Sequence, residues 1–510
     1  PCLRDSSRPL PMSWGSSHPL TARPAQSEIV MGHRNTLTLD EALVRDLSLA
    51  TTSDVRLVPE GASVEVTSVV MDSRRVVEGS LFACISGEHF DGHAFAEEAL
   101  KSGSVALLVD HELDVAVPQL VVDDVRSVLG EIAAIIAGRP SAEIDVIGIT
   151  GTNGKTTVAQ LLAAVFSEAG RTSAVIGTLE GDMTTPEAPR LQRKLRELAD
   201  EGVSVVAMEV SSHSLVQQRV RGTTFAAGIF TNLGHDHLDV HGTQEEYFRA
   251  KSLLFTSYGV GRMMVNADDV HGRLLGDLAA DDQEVAQYSM SQVESLDLSL
   301  EGSTFVVDGT SFSLALPGRP NIENALAVIS CARAFGIDDD IIARGLASVE
   351  QVPGRMQRIS GNGYDVIVDF AHTPEALAAL LDTCRELAAG RRLIVVFGCG
   401  GGRDRRKRPE MAAIAGTHAD VVVVTSDNPR HEDPSAIIEE VCAGFGETTT
   451  ARWSCEVDRS EAIARAVLAA EHGDVIVVAG KGHERYQEIG SCKADFDDVE
   501  HVRAAMEAKR

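Results

Sequence analysis

"IDVIGITGTNGKTTVAQLLAAVF", residues 144–166, passes from an apolar stretch through a glycine-rich hinge into a helical pattern. Residues 144–150 are rich in β-branched side chains and too few for a typical helix, so they read as a buried strand. Val158, Leu161, Leu162, Val165 and Phe166 then recur at helical spacing. A hinge from strand to helix leaves the first N–H groups of the helix without partners and at the positive end of its dipole, which makes an anion site. Gly151 and Gly154 let the backbone curl around phosphate oxygens, Lys155 reaches the terminal phosphates, and the Thr156 hydroxyl is placed to ligate Mg²⁺. The stretch therefore reads as a nucleoside triphosphate site. Its fit to the general pattern G-x-x-x-x-G-K-[ST] is imperfect, because the first glycine would fall at Ile149. The plainer reading is a glycine-rich turn followed by a solvated lysine.

The chain has 510 residues, enough for about three domains at a prior of ~150 residues each. With 46 basic and 75 acidic residues the formal charge is −29. That surface repels nucleic acid and anionic membranes, so a phosphate ligand must be held by local basic and backbone groups. The eight cysteines are scattered and form no C-x-x-C pair. This speaks against a structural zinc site or a disulfide framework and fits a reducing cytosol. No apolar run approaches the roughly 18 residues that span a bilayer, so the expectation is a soluble, cytoplasmic protein.

Residues 1–36 are read as a disordered tail, rich in Pro, Ser and Arg and lacking the apolar core of a signal peptide, with Met31 a candidate natural start. From 37 to 143 a mixed pattern of strands around the helical "AFAEEALKSG" predicts a small α/β unit. A second unit, 144–352, continues through the apolar strands of "VSVVAMEVSSH" and "FAAGIFTNLGHDHLD". A Pro-Gly pair in "QVPGRMQRI" marks the next boundary, and 353–510 holds four strand-loop-helix repeats: "YDVIVDFAHTPEAL", "RLIVVFGCGGGRDRR", "DVVVVTSDNPRHEDP" and "DVIVVAGKGHERYQ". Strands alternating with helices imply an α/β fold with parallel sheets and ligands at the carboxyl ends of the strands, where every polar motif just quoted sits.

Among the polar motifs, Glu209 follows a strand and is suited to hold Mg²⁺ together with Thr156. His235, His237 and His241 in "GHDHLDVHG" read as metal ligands, as a zinc-hydrolase pair or as a purely structural loop. Lys251 by itself passes for a helix-surface lysine. "GCGGGRDRRKRP" fails the dinucleotide pattern at Arg403 and reads as a basic anion loop, while "DNPR" and "GKGHE" place charged groups at strand ends, as sites or as plain turns.

Taken together, "GTNGKTT", "EVSSH", "TNLGHDHLDVHG", "GRPNIENALA", "PGRM", "DFAHTP", "GCGGGRD", "DNPR" and "GKGHE" resemble the Mur ligase family, most closely its members that add the third amino acid to the peptidoglycan precursor. The resemblance runs from about Leu37 to the C-terminus, and "GTNGKTT" is the family's own form of the phosphate loop. It implies an ATP-dependent amide ligase of three domains: an N-terminal one for the UDP-sugar, a central ATPase and a C-terminal Rossmann-like one. Such a ligase phosphorylates a carboxylate with ATP and lets an amine displace the phosphate from the acyl phosphate. The expected partners are small molecules, a UDP-N-acetylmuramoyl dipeptide and meso-diaminopimelate, and the working unit a monomer. L-lysine as the amino acid, a folylpolyglutamate- or cyanophycin-type synthetase, and a P-loop module that hydrolyses ATP only to switch conformation are the alternatives.

By the same resemblance, Gly151, Thr152, Asn153, Gly154, Lys155, Thr156 and Thr157 hold the phosphates, with Asn324, Arg355 and Asp369 at the nucleotide. Thr156, Glu209, His237 and a carbamylated Lys251 serve Mg²⁺, and Lys155, Glu209, His237 and Lys251 carry catalysis. Ser73, Glu88, His89, Phe90, Thr184, Thr185, Ser211, Gln217 and Arg219 match the UDP-precursor positions. Arg403, Asp427, Asn428, Pro429, Arg430, Gly480 and Glu484 match those for the incoming amino acid. The chain departs from the pattern in a shorter segment before "TTPEAP" and in Met183, which stands where a polar residue often precedes the threonine pair.

Overall fold

The computed structural model describes residues 36–51, 53–87, 90–181, 183–234, 238–447 and 449–509. The proposed tail therefore lies outside the described residues, apart from Thr36, as do Glu88, His89, His235 and His237.

Three α/β units follow one another, each around its own sheet. In the first, the strands run in the order Val55–Val58, Gln119–Val122, Ser104–Val109, Ser80–Ala83, Ser68–Val70, parallel except for the antiparallel edge strand Val55–Val58. The central unit has six parallel strands in the order Glu284–Tyr288, Arg262–Asn266, Ala227–Phe230, Asp145–Thr150, Val205–Glu209, Ser173–Ile176. Asp145–Thr150 sits inside this sheet, where Val146, Ile147 and Ile149 are fully buried, and that is why the opening stretch reads as a continuous apolar run. Lys155–Glu168 packs Val158, Leu161, Leu162, Val165 and Phe166 into the core, the side chains the helical spacing singled out.

The third sheet runs Gln357–Ser360, Asp365–Asp369, Val475–Ala479, Leu393–Cys399, Val421–Ser426, Arg452–Cys455, with only Gln357–Ser360 antiparallel. Beneath its loops the fully buried pair Arg459–Asp498 meets at 2.8 Å, and Arg459 also donates to the carbonyls of Ala479 and Ser426. One guanidinium thus ties together the carboxyl ends of two strands. Since removing either partner leaves a buried charge uncompensated, the pair holds the platform under the loops in place.

Two elements depart from the sequence reading. The last of the four repeats does not turn directly into a helix: Val475–Ala479 is followed by the antiparallel hairpin Tyr486–Ile489 with Cys492–Asp495, and only then by the helix Asp498–Lys509. The central unit also carries a separate three-stranded antiparallel sheet, Val293–Ser299, Gly302–Val307 and Thr310–Leu314, packed on the same core as Lys155–Glu168. Among the described residues no helix is long and apolar enough to cross a membrane.

Candidate active site

The phosphate loop is braced from below. Thr152 N–H donates to the Asn232 carbonyl (2.9 Å), Asn153 N–H to Asn232 Oδ1 (2.9 Å), and Thr231 Oγ1 to the Asn153 carbonyl (2.6 Å). Both glycines are required by contact as well as by conformation. Gly151 (φ 149°) and Gly154 (φ 89°) have positive φ, and a Cβ would collide with Thr231 Oγ1 at the first and with Asn324 Oδ1 at the second. The Val158 N–H makes the first bond within the helix, to the Gly154 carbonyl (2.8 Å), so the N–H groups before it face the loop. Lys155 folds back over that loop, its Nζ donating to the carbonyls of Gly151 (2.7 Å) and Thr152 (2.9 Å).

Glu209, the last residue of its strand, is 1% exposed. One carboxylate oxygen accepts from the Thr178 N–H (2.8 Å) and the other from Thr156 Oγ1 (2.9 Å). A hydroxyl and a carboxylate oxygen thus meet beside the phosphate loop, a donor set that suits a hard cation such as Mg²⁺. Lys251 is also buried, and its Nζ donates to the same Gly151 carbonyl (2.9 Å) while lying 4.3 Å from the Tyr247 ring centroid. Two lysine ammonium groups therefore converge on one carbonyl oxygen, an arrangement that like-charge repulsion disfavours.

The C-terminal unit reaches into this site. Arg355 Nη2 donates to Thr156 Oγ1 (3.3 Å), and its guanidinium lies over the Phe370 ring at 4.7 Å. Asp369 accepts from the N–H groups of Met356 (2.7 Å) and Ala371 (2.8 Å), and burial holds its carboxyl above the ordinary carboxylate range. Asn324 donates to Asn321 Oδ1 (3.3 Å) next to Gly154.

His483, of "GKGHE", packs its ring against Phe370. Burial, and then the nearby Arg355 and His372, lower its pKa to about 4 from 6.5. The unfolded chain therefore takes up a proton between these two values that the folded chain refuses. The contribution of His483 to stability is whole above pH 6.5 and is lost as pH falls through about 4. Urea unfolding should show the wild type losing stability over that window relative to His483→Gln, by less than about 1.4 kcal/mol per pH unit because the ring is only part-buried. Parallel pH curves for the two proteins would contradict this.

Next to Glu209 lies a polar network containing most of the residues matched to the UDP precursor. Thr185 Oγ1 donates to the Glu209 carbonyl (2.9 Å) and accepts from the Ser211 N–H (3.1 Å), and the Thr184 and Thr178 hydroxyls are 3.0 Å apart. Arg219 pairs with Glu187 (2.9 Å) and donates to Gln217 Oε1 (2.6 Å). Ser73 opens the short turn Ser73–Arg75 in the N-terminal unit, and Phe90, also of that unit, is 76% exposed, so neither belongs to this network.

At the loops matched to the incoming amino acid, Asn428 donates to Glu484 Oε2 (2.9 Å), and the fully buried Lys481 donates to Asn428 Oδ1 (2.9 Å) and Glu484 (3.1 Å). Gly480 (φ 116°) lets Asp427 approach closely. Arg430, in the left-handed region (φ 51°), is drawn to Glu488 (2.9 Å) and to the Gly401 carbonyl (2.7 Å) and not to Glu484. Pro429 lies between Asn428 and Arg430, and Arg403 stands exposed on the glycine-rich loop.

Three family descriptions match this chain: "Mur ligase middle domain" over residues 149–332, "Mur ligase, glutamate ligase domain" over 354–482 and "Mur ligase family, catalytic domain" over 65–136. The UDP-N-acetylmuramoyl-L-alanyl-D-glutamate–2,6-diaminopimelate ligase of Geobacillus kaustophilus is 41% identical over 480 residues, covering 89% of this chain and 97% of the relative. The chain belongs to the Mur ligase family. A ligase of the same name from Syntrophomonas wolfei is 42% identical, covering 85% of this chain and 93% of its own. A solved structure of a ligase with that name has a TM-score of 0.63 at 36% identity, covering 87% of this chain and 95% of that one. Mur ligases use ATP, and a braced glycine loop that opens a helix is the kind of backbone that suits phosphate.

Several residues of this Mur ligase site went unassigned in the sequence reading. Thr178, Thr231 and Asn232 hold Glu209 and the phosphate loop, and Lys481 and Glu488 neutralise Glu484 and Arg430. Asn232 and Lys481 lie inside quoted motifs, where a polar residue following an apolar strand was signal enough. Thr178 and Glu488 carry no such mark.

Proposed function

We propose that this Mur ligase joins meso-diaminopimelate to UDP-N-acetylmuramoyl-L-alanyl-D-glutamate at the expense of ATP, in the cytoplasm and as a step of peptidoglycan synthesis. The observation that carries this reading is that the likeness to ligases named for that reaction covers 89% and 85% of the chain, far more than the ATP core alone. The working domains are residues 37–143 for the UDP precursor, 144–352 for ATP and 353–510 for the amino acid. The working unit in this reading is a monomer.

An oxygen of the precursor carboxylate attacks the γ-phosphorus of ATP, the bond from that phosphorus to the bridging oxygen breaks, and ADP leaves. The diaminopimelate amine then adds to the acyl phosphate carbon, and phosphate departs with the electrons of the C–O bond as the amine loses a proton. Lys155 and the loop N–H groups stabilise the charge that develops on the phosphates. Thr156 and Glu209 fit Mg²⁺, with Lys251 as a carbamate and His237 as further ligands, and the metal would neutralise phosphate charge. Carbamylation turns Lys251 from a second cation at the Gly151 carbonyl into an anion beside Lys155, which relieves the repulsion there. Arg355, reaching from the C-terminal domain to Thr156, couples domain closure to the phosphates and helps keep water from the acyl phosphate.

Diaminopimelate differs from lysine by a carboxylate beside its distal amine. Arg430 is the cation for that acid, through a bidentate pair, and Glu484 an acceptor for the amine. Because Arg430 already has Glu488 as a partner, lysine does not leave it bare. The selectivity passing through this contact is then about tenfold, nearer the lower end of the range for a lost charged hydrogen bond. In competition at equal concentrations the wild type should incorporate meso-diaminopimelate over L-lysine, and Arg430→Ala should lose most of that preference and raise KM for diaminopimelate. Equal incorporation of lysine by the wild type, or unchanged selectivity in the variant, would refute the assignment.

A further inference from the structure

Away from the ligase site, two thiols meet at the edge of the C-terminal sheet. Cys442 is the last residue of the helix Pro434–Cys442, and Cys455 the last residue of the edge strand Arg452–Cys455. Their sulfurs are 3.0 Å apart, closer than two sulfurs sit in van der Waals contact. Packing that owes nothing to the sulfurs holds the two elements together. The Phe445 and Trp453 rings stack at 4.7 Å and 15° across the intervening turn, and the pairing of Cys455 with Val424 fixes the strand in the sheet. Cys455 is exposed and Cys442 half-buried, whereas Cys84, Cys331, Cys384 and Cys399 are buried.

We infer that Cys442 and Cys455 form an oxidative modification site that closes into an intramolecular disulfide when the protein meets a peroxide. Cys455, the exposed sulfur, attacks one peroxide oxygen. The O–O bond breaks, Cys455 becomes a sulfenic acid, and the other oxygen leaves as water with the thiol proton. The Cys442 sulfur then attacks Cys455 Sγ, the S–O bond breaks, and hydroxide departs with the Cys442 proton as a second water. Two thiols lose two electrons, and the peroxide gains them. Burial pushes the Cys442 thiol up to about 12, so it is not the sulfur that meets the peroxide; its part is the second step because its target already lies in contact with it. The bond would fasten the C-terminal end of the helix Pro434–Cys442 to the edge strand Arg452–Cys455.

The test is peptide mapping of the reduced full chain after exposure to hydrogen peroxide and alkylation of the remaining thiols. Trypsin cuts at Arg452, between the two cysteines, so the disulfide appears as two joined peptides, two hydrogen masses below their sum and released by reductant. Cys442→Ser should accumulate a sulfenic acid at Cys455 that a dione reagent traps. Cys455→Ser should leave Cys442 open to alkylation after the same treatment. If wild-type Cys442 stays alkylatable while Cys455 proceeds to the sulfinic acid, or pairs with Cys492 or with another chain, the inference is overturned, and the wild-type map decides this without the variants.

Discussion

Lys155→Ala should reduce acyl-phosphate formation by about 10³-fold or more while leaving the fold intact, in line with the loss of a group that stabilises phosphoryl-transfer charge. Lys155 Nζ rests on the carbonyls of Gly151 and Thr152, at the mouth of the loop where the terminal phosphates would lie. With a chain charge of −29, no general surface attraction makes up for losing that cation. The fold should survive because Lys155 is the first residue of its helix, and the helix is anchored by Val158, Leu161, Leu162 and Val165, none of which the substitution touches. Single-turnover formation of acyl phosphate, with circular dichroism as the check on folding, measures both statements. A folded variant with near-native turnover would remove the ATP site from this loop.

Lys251→Ala should be nearly as damaging, and its defect should be partly repaired from solution. If the lysine acts as a carbamate, the variant lacks an anionic oxygen ligand and not a cation, so high bicarbonate or a short carboxylic acid should restore part of the rate. The cavity left by a buried side chain gives such a small acid somewhere to bind. An unmodified amine would behave otherwise, its loss being repaired by small amines if by anything. Mass spectrometry under mild conditions reads the carbamate itself. Wild-type activity in Lys251→Ala, or rescue by amines and not by carboxylates, would dismiss the assignment.

What could be read in the sequence was what is local along the chain. The phosphate loop is one continuous segment whose strand, glycines and helix are all set by short-range spacing, and Glu209 announces itself as a carboxylate at the end of an apolar strand. The parallel sheets were legible for the same reason, because fully buried strands read as unbroken β-branched runs. Contacts between remote segments were not. Nothing near Arg355 or Thr156 in the chain shows that they meet across 199 residues, and Thr178 looks like any loop threonine until the sheet brings Glu209 to it. The hairpin Tyr486–Ile489 with Cys492–Asp495 was missed because its strands are short and largely exposed and so lack an apolar pattern. Its position decides the partner of Arg430: the strand carries Glu488 back to the "DNPR" loop, which spacing alone could not foretell. The resemblance supplied roles for residues such as Asn324 and Asp369, whose own neighbourhoods along the chain are unremarkable.

In the proposed reaction the phosphate loop spends ATP to join two particular molecules. The most direct test is ADP release by the purified enzyme with UDP-N-acetylmuramoyl-L-alanyl-D-glutamate and meso-diaminopimelate, each alone and both together. Turnover should be full only when both are present, with one ADP released per amide formed. ADP release that proceeds at the same rate without the amino acid or the precursor, and with no amide product, would mark a nucleotide switch and contradict the ligase reading.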